Sequence, residues 1–184
     1  MVEAQMNPPE TIKTTRLTLR RLRADDASAI FATYAQDREV TRFLTWRPHQ
    51  SVKETREFVR GCIEAWRAGT EFIWAIVLDG GGLIGGIALR PRDFKADVGY
   101  VIARPYWGKG FATETLRSVV SWALDQPQIY RVWAVCDVEN PASARVMEKA
   151  GMLKEGILRM WIRHPQAGDA PRDCFCYSIA KSDA

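Results

Sequence analysis

The residues best suited to chemistry are two glycines, Gly108 and Gly110, in a turn between an apolar run at residues 98–102 and a helical pattern that starts near Phe111. Glycine lets the backbone approach a ligand closely and adopt conformations that other residues disfavour. The first N–H groups of a helix have no partner within it, and the helix dipole makes that end positive. A strand, a glycine turn and a helix start in this order therefore predict a site for an anion such as a phosphate.

Two common phosphate-binding patterns do not match this turn. A P-loop needs Ser or Thr directly after its Gly-Lys pair to hold magnesium, whereas Lys109 is followed by Gly110. A dinucleotide fingerprint needs Gly or Ala three residues after its second glycine, where this chain has Thr113, and it needs a βαβ unit, whereas the flanking strands have the pattern of antiparallel hairpins. The first pattern is excluded and the second is disfavoured.

Length and composition narrow the class of protein. The chain has 184 residues, of which 47% are hydrophobic, and this suits one domain with one core. We expect a flexible leader at residues 1–14, because Pro8 and Pro9 oppose helix and sheet, and a single domain at residues 15–184. The chain has no apolar run of membrane-spanning length and no signal-peptide pattern, so we expect a cytoplasmic protein with no membrane partner.

The cysteines, histidines and net charge exclude further classes. Cys62, Cys136, Cys174 and Cys176 have neither disulfide-framework nor zinc spacing, and two histidines are too few for a metal cluster, so we expect reduced thiols and no metal. The net charge of +4 suits an anionic cofactor. Because the chain lacks a dense basic run with interleaved aromatic residues, we expect no nucleic-acid partner.

The elements that position the glycine turn follow from hydrophobic spacing. Gly85 and Gly86, inside one predicted strand, indicate a bulge or a place where another backbone or a ligand approaches closely. The order is strand, two helices, three strands, helix, strand, helix, two strands, which predicts an α+β (mixed α/β) fold. Strands are predicted at residues 16–20, 72–78, 83–89, 98–102, 131–136, 152–161 and 174–180, and helices at residues 25–35, 51–69, 111–126 and 140–151.

Three blocks of the sequence resemble the GNAT acetyltransferases, and more narrowly the branch that contains the ribosomal-protein N-terminal acetyltransferases. The blocks are residues 98–102, residues 105–114 (Pro-Tyr-Trp-Gly-Lys-Gly-Phe-Ala-Thr-Glu) and residues 140–151 (Asn-Pro-Ala-Ser-Ala-Arg-Val-Met-Glu-Lys-Ala-Gly). The element order is also similar from Arg16 to Ala180. The resemblance implies a GNAT-like central sheet, mixed and mostly antiparallel, of about seven strands flanked by about four helices.

The resemblance also implies acetyl-CoA as the cofactor. The pantetheine arm would lie along the strand before the turn, and the pyrophosphate would bind backbone N–H groups of the turn, with Lys109 either adding a charge contact or remaining a solvated lysine. Many members carry Gln or Arg where this chain has Pro105, a difference of small consequence because the loop acts through its backbone. The residues expected to bind the cofactor are Gly99, Tyr100, Val101, Ile102, Trp107, Gly108, Lys109, Gly110, Phe111, Ala112, Thr113 and Asn140.

Acyl transfer to an amine needs a neutral amine, a donor for the developing oxyanion and a proton for the leaving thiolate. The resemblance points to backbone N–H groups of the strand that ends at Ile102 for the oxyanion. It points to Ser143 for the proton, although Ser143 also suits the first turn of a helix capped by Asn140. Asp97 and Glu71 are the candidate bases, and both also fit as solvated charges at strand ends.

A weak base favours an acceptor that loses its proton easily. Branch members carry a glutamate on the penultimate strand that residues 158–162 lack, and an α-amine is easier to deprotonate than a lysine by about 3 kcal/mol. We therefore expect acetylation of a protein or peptide N-terminal α-amine; a small-molecule amine, or a CoA-binding module without turnover, are the alternatives. Trp46 and His164, in loops, are the expected acceptor-binding residues. Exposed aromatics such as Trp46 and Trp161 leave a monomer and a homodimer both open.

Overall fold

A mixed β-sheet of eight strands forms the centre of the computed structural model, which describes residues 6–183. The strands are β1 Thr11–Lys13, β2 Leu17–Arg21, β3 Phe72–Leu78, β4 Leu83–Arg92, β5 Lys95–Ile102, β6 Arg131–Asp137, β7 Leu153–Ile162 and β8 Arg172–Ala180. Their order across the sheet is β1-β2-β3-β4-β5-β6-β8-β7, and only β5 and β6 pair in parallel within the described chain. The predicted mixed, mostly antiparallel sheet is confirmed, with one strand more than expected.

The additional strand, β1, lies inside the segment that we expected to be a flexible leader. Thr11 of β1 pairs with Arg20 of β2 in antiparallel register, and the carbonyl of Pro9 accepts a 2.9 Å hydrogen bond from the indole of buried Trp74. The ordered sheet therefore begins earlier than predicted. Pro8 and Pro9 precede the strand and remove no donor from its ladder. Residues 1–5 of the predicted leader lie outside the described residues.

Helices cover both faces of the sheet. Within residues 6–183 they are α1 Asp26–Ile30, α2 Arg38–Thr41, α3 Val52–Ala68, α4 Phe111–Asp125 and α5 Pro141–Lys149. The helix predicted at residues 25–35 is instead the short α1 followed by a π-helical turn, Phe31–Ala35, and the single turn α2 was not predicted. The three longer helices are confirmed. None of the described helices is both long and apolar enough to cross a bilayer.

Local capping explains where α3 begins and ends. The side chain of Ser51 accepts the N–H of Glu54 at 3.3 Å and so caps the helix at the position where the sequence predicted its start. The Glu54 carboxylate accepts the N–H of Gln50 at 2.7 Å, one residue earlier than in a standard capping box. The helix ends at Gly69, whose φ of +72° favours glycine.

The helices divide the core into two clusters, one on each face of the sheet. On one face, α4 and α5 pack against strand residues such as Ile87. On the other face, α1 and α3 pack against residues such as Ala75. The register of β4 with β5 pairs Ile87 with Tyr100 and Gly86 with Val101. Because side chains alternate along a strand, Tyr100 belongs to the α4 and α5 face and Val101 to the α1 and α3 face.

The predicted irregularity at Gly85 and Gly86 is present. Ile76 pairs with Gly85, but Val77 pairs with Leu83, so Ile84 is the extra residue of a β-bulge. The backbones of β4 and β5 also approach closely here, since a Cβ added at Gly85 would lie 2.2 Å from the carbonyl oxygen of Val101. A bulge and a close approach of another backbone therefore occur together.

Replacing Gly85 should test how tightly β4 and β5 pack. The added methyl of Gly85→Ala would meet the Val101 carbonyl at 2.2 Å, so the strands must separate, and we expect the free energy of unfolding to fall by about 2 kcal/mol. Gly61→Ala is the matched control, because Gly61 lies inside α3 with open space around the added methyl; it should stabilise by about 0.5–1 kcal/mol. Urea unfolding followed by circular dichroism measures both. Equal effects would contradict the packing argument.

Candidate active site

The parallel strands β5 and β6 pair briefly and then diverge. Pairing joins residues 95–97 of β5 to residues 131–133 of β6 and, within the described chain, stops there. The N–H of Ala103, which follows β5, bonds to the carbonyl of Ile84 on β4 at 2.8 Å. Alternation along β5 then directs the backbone groups of Val98, Tyr100 and Ile102 into the gap between the two strands. A strand edge is therefore available inside the sheet.

The glycine turn connects β5 to α4. Gly108 and Gly110 have φ values of +73° and +81°, in the region that favours glycine. Gly110 is the N-cap of α4, so no side chain caps the N–H groups of the first turn. These N–H groups, at Phe111, Ala112 and Thr113, have no partner within the helix. The turn thus has the geometry of an anion site, as the sequence predicted.

Two side chains of the turn fold back onto the protein. The indole of Trp107 donates a 2.6 Å hydrogen bond to the carbonyl of Ile102. The ammonium nitrogen of Lys109 lies 5.5 Å from the ring centroid of Tyr106. The carbonyl of Ile102 is therefore engaged by the protein, whereas its N–H is directed into the gap and is available to a ligand.

One cleft of about 1620 Å³ joins the gap and the glycine turn. Pockets for a single small molecule have volumes of about 300–1,000 Å³, so this cleft has room for two reactants. Its wall includes every residue that the sequence suggested for cofactor binding, catalysis or acceptor binding. The roles of these residues stay predictions, but the fold brings all of them to one place.

Ser143 lies in the first turn of α5 and contacts Tyr100 of β5. The side chain of Asn140 accepts the N–H of Ser143 at 3.1 Å, which fixes the start of the helix. Ser143 Oγ lies 2.8 Å from Tyr100 Oη, and the Tyr100 hydroxyl also donates to the Ser143 carbonyl at 3.2 Å. Burial raises the pKa of Tyr100, although the bond to Ser143 opposes the shift, so the phenol keeps its proton at neutral pH. The two hydroxyls form a pair that can pass a proton.

One arginine holds both of the candidate bases. Arg90 of β4 has Nε 3.2 Å from a Glu71 oxygen and Nη1 2.9 Å from an Asp97 oxygen. The register explains the arrangement, because Arg90 pairs directly with Asp97, and Glu71 comes just before Phe72, which pairs with Leu89. Burial raises the pKa of Asp97, and the charge of Arg90 opposes that shift. Neither carboxylate can take a proton without weakening its ion pair.

The two predicted acceptor residues lie in loops that meet. His164, in the β7–β8 loop, is 3% exposed, with Nδ1 3.4 Å from the carbonyl of Leu44 in the α2–α3 loop. Its Nε2 lies 3.5 Å from Asp137, which Arg172 also contacts at 2.5 Å. Burial would raise the pKa of Asp137, but the bonds from Arg172 hold that pKa below its usual range. Trp46 shares the loop of Leu44 and lines the same cleft.

Cys136 of β6 also lines the cleft, but its thiol is poorly suited to nucleophilic attack. Burial raises its pKa to about 12, so the thiol stays protonated at neutral pH. This agrees with direct transfer to the amine rather than transfer through a protein thioester. Each of the four cysteines is free and buried. Within residues 6–183 no group of three or more His, Cys, Asp or Glu side chains has the arrangement of a metal site.

Comparison with known proteins identifies the class. Residues 16–153 match the family of the acetyltransferase (GNAT) domain, and the chain therefore belongs to the GNAT acetyltransferases. The uncharacterized N-acetyltransferase YoaA of Bacillus subtilis (strain 168) is 33% identical over 174 residues, which cover 92% of this chain and 96% of YoaA. The protein is thus an N-acetyltransferase, as the resemblance in its sequence implied.

Solved structures agree with this assignment. The GNAT-family acetyltransferase from Bacillus anthracis has a TM-score of 0.80 at 27% identity, with 94% of this chain and 99% of that chain covered. RimL, a ribosomal L7/L12 α-N-protein acetyltransferase in complex with coenzyme A, has a TM-score of 0.82 at 21% identity, with 93% and 98% covered. At this identity RimL shows the shared fold. Acetyl-CoA is the acetyl donor of this family, and coenzyme A or acetyl-CoA occupies several of the structural neighbours.

The cleft fits coenzyme A on the evidence of its own groups. The edge of β5 offers backbone donors and acceptors to the amides of a pantetheine arm, in the manner of an added strand. The uncapped first turn of α4 offers N–H groups to a pyrophosphate.

Two contributions to the site were missed in the sequence. Tyr100 was assigned to the cofactor strand without a role for its hydroxyl, although alternation along β5 would have placed it on the α5 face. Arg90 was given no role, because the predicted strand ended at residue 89. In the structure β4 continues to Arg92, and only residues 93–94 form the turn.

Two substitutions of Asn140 should separate its cap from a cofactor contact. Asn140→Asp keeps an oxygen for the Ser143 N–H, so we expect the free energy of unfolding to stay within about 0.5 kcal/mol of the wild-type value, whereas Asn140→Ala should lose about 1 kcal/mol. Both remove the amide donor, and we expect both to raise the KM for acetyl-CoA. Urea unfolding and steady-state kinetics measure the two effects. An unchanged KM in the aspartate variant would leave Asn140 as a cap alone.

Proposed function

We propose that the protein acetylates the N-terminal α-amine of a protein or peptide by direct transfer from acetyl-CoA. The main support is the contrast between two sets of side chains in the cleft. The hydroxyl pair of Ser143 and Tyr100 is available at the gap, whereas both candidate bases are held by Arg90. A site that can protonate a leaving thiolate but has weak means of deprotonating an amine suits an acceptor that is easily deprotonated.

Acetyl-CoA supplies a thioester carbonyl that the amine attacks. The N–H of Ile102 is the candidate donor to the developing oxyanion, since it is directed into the gap. Ser143 Oγ is the candidate donor of the proton that the leaving thiolate needs. Tyr100 orients that hydroxyl from a distance of 2.8 Å, and the proton that the acceptor nitrogen releases when the amide forms replaces the one that Ser143 gives up.

Deprotonation of the acceptor decides among amines. An α-amine has a pKa near 8 and a lysine near 10.4, which makes the neutral form of the α-amine more accessible by about 3 kcal/mol. A free carboxylate could offset this difference for lysine, but Glu71 and Asp97 are both paired. The α-N-protein activity of RimL supports the same acceptor class. Acetylation of a small-molecule amine is the alternative.

We further propose a cytoplasmic location for the protein, because acetyl-CoA and new protein N-termini occur together there.

Removing the Ser143 hydroxyl should slow the chemical step. We expect Ser143→Ala to lower kcat by about 100-fold, because the thiolate loses its proton donor, while the KM for acetyl-CoA stays within about twofold. Ser118→Ala is a matched control, since Ser118 is a helical serine that bonds to the Glu114 carbonyl and does not line the cleft. Release of free thiol measures turnover. If both variants keep the wild-type kcat, Ser143 has no role in catalysis.

A peptide panel should identify the acceptor amine. We expect thiol release with lysine-free peptides that have a free N-terminus, and none with the same peptides when the N-terminus is blocked and a lysine is added. The kcat/KM for the free peptides should rise with pH, reach half its maximum near pH 8 and level off about one pH unit higher, as the α-amine loses its proton. Release only with small amines such as polyamines or amino acid derivatives would contradict the proposed acceptor.

A further inference from the structure

Arg16, just before β2, contacts the glycine turn from the other end of the sequence. Its Nε and Nη2 each lie 2.7 Å from Glu114 in the first turn of α4. Its Nη1 donates to the carbonyl of Lys109 at 3.0 Å. The guanidinium also lies 4.5 Å from the ring centroid of Phe111, the first residue of α4. A single side chain therefore contacts the turn on both sides of Gly110.

The segment around Arg16 holds the same carboxylate from a second direction. The N–H of Arg16 donates to the other oxygen of Glu114 at 2.9 Å, and Thr14 Oγ1 donates to it at 2.6 Å. Thr14 is itself fixed, because its N–H bonds to the carbonyl of Leu17 at 2.9 Å. Both oxygens of Glu114 are therefore occupied by one short stretch of chain. The arrangement is specific rather than a contact between two mobile surface charges.

The charge of Glu114 matters because of its position. The carboxylate lies in the first turn of α4, where the pyrophosphate is proposed to bind. Burial would raise the pKa of Glu114, but the hydrogen bonds from Thr14 and Arg16 hold it below its usual range, so Glu114 is ionised at neutral pH. An uncompensated carboxylate at this point would repel a bound anion. The guanidinium of Arg16 offsets that charge.

We propose that Arg16 is a positioning residue for acetyl-CoA: it fixes the backbone of residues 109–111 and neutralises Glu114, so that the turn accepts the pyrophosphate. The inference depends on the proposed binding of the pyrophosphate to this turn. Arg16 acts on the turn rather than on the reacting atoms, so its effect falls on cofactor affinity and not on the transfer step.

The test compares two acetyl donors that differ in the pyrophosphate. For Arg16→Gln we expect the KM for acetyl-CoA to rise about tenfold with kcat within about twofold. With S-acetylpantetheine, which has the thioester and pantetheine arm but no pyrophosphate, kcat/KM should equal the wild-type value. An equal loss with both donors, or an unchanged KM for acetyl-CoA, would overturn the proposal. Calorimetric titration of wild-type and Arg16→Gln protein with coenzyme A compares their affinities directly, without turnover.

Two further variants keep the result interpretable. Arg21→Gln is the matched control, because Arg21 pairs with Glu10, stacks over Trp66 and does not line the cleft; it should leave both donors unaffected. Adding Glu114→Gln to Arg16→Gln removes the uncompensated carboxylate, so we expect part of the affinity for coenzyme A to return. A double variant that binds no better than Arg16→Gln alone would overturn the electrostatic part of the proposal.

Kinetics of the wild-type protein with the two donors show whether the pyrophosphate site itself exists. They therefore distinguish failure of that site from failure of the role proposed for Arg16. If wild-type kcat/KM is the same for acetyl-CoA and S-acetylpantetheine, the turn does not bind the pyrophosphate. The proposed pyrophosphate site and the role of Arg16 then both fail. If the wild-type protein prefers acetyl-CoA and Arg16→Gln keeps that preference in full, the pyrophosphate site stands and the role of Arg16 is overturned.

Discussion

The divergence of β5 from β6 is the constraint on which the rest of the site depends. Two parallel strands in the middle of a sheet gain hydrogen bonds by staying paired, and each buried polar group left without a partner costs about 1–3 kcal/mol. Here a side-chain contact joins β5 to α5, and one backbone carbonyl of β5 has another partner. The hydroxyl of Tyr100 bonds to Ser143 of α5, and the indole of Trp107 bonds to the carbonyl of Ile102. The gap is therefore a specific feature of the fold. It leaves backbone groups of β5 available to hydrogen-bond a ligand that carries amides.

Alternation along β5 then separates the two halves of the proposed reaction. Tyr100 faces α4 and α5, where Ser143 lies, so the proposed protonation of the thiolate belongs to that face. Asp97 and Val101 have the opposite parity and face α1 and α3, the side on which Arg90 and Glu71 also line the cleft. In the proposed reaction, the backbone of this strand would face the donor, one side of it the leaving group and the other side the acceptor. Moving the register by one residue would exchange the two faces.

The parts of this protein that could be predicted from sequence are those that depend on neighbours in the chain. The turn at Gly108 and Gly110 and the Ser51 cap each need only a few adjacent residues. The strand β1 was missed because three residues before a turn carry too little periodicity to distinguish a strand from a leader. Arg90 was missed for a different reason, since its two ion pairs arise from a register across three strands. The contact of Arg16 with Glu114 joins residues 98 positions apart, which no local pattern contains.

The cluster of Glu71, Arg90 and Asp97 suggests how an acceptor can be selected without a dedicated base. Arg90 pairs with both carboxylates, and the charge of Arg92 also acts on Asp97, so neither acid is free to bind or deprotonate an incoming ammonium group. The ease with which each amine loses its proton then decides which acceptor reacts. At pH 7 an amine of pKa 8 is neutral for about a tenth of the time, whereas a lysine is neutral for about 0.04% of the time, a ratio of about 200. An ion-paired carboxylate does little to reduce that ratio, so the proposed preference for an α-amine over lysine would come from the pKa values of the amines themselves, because Arg90 holds both acids.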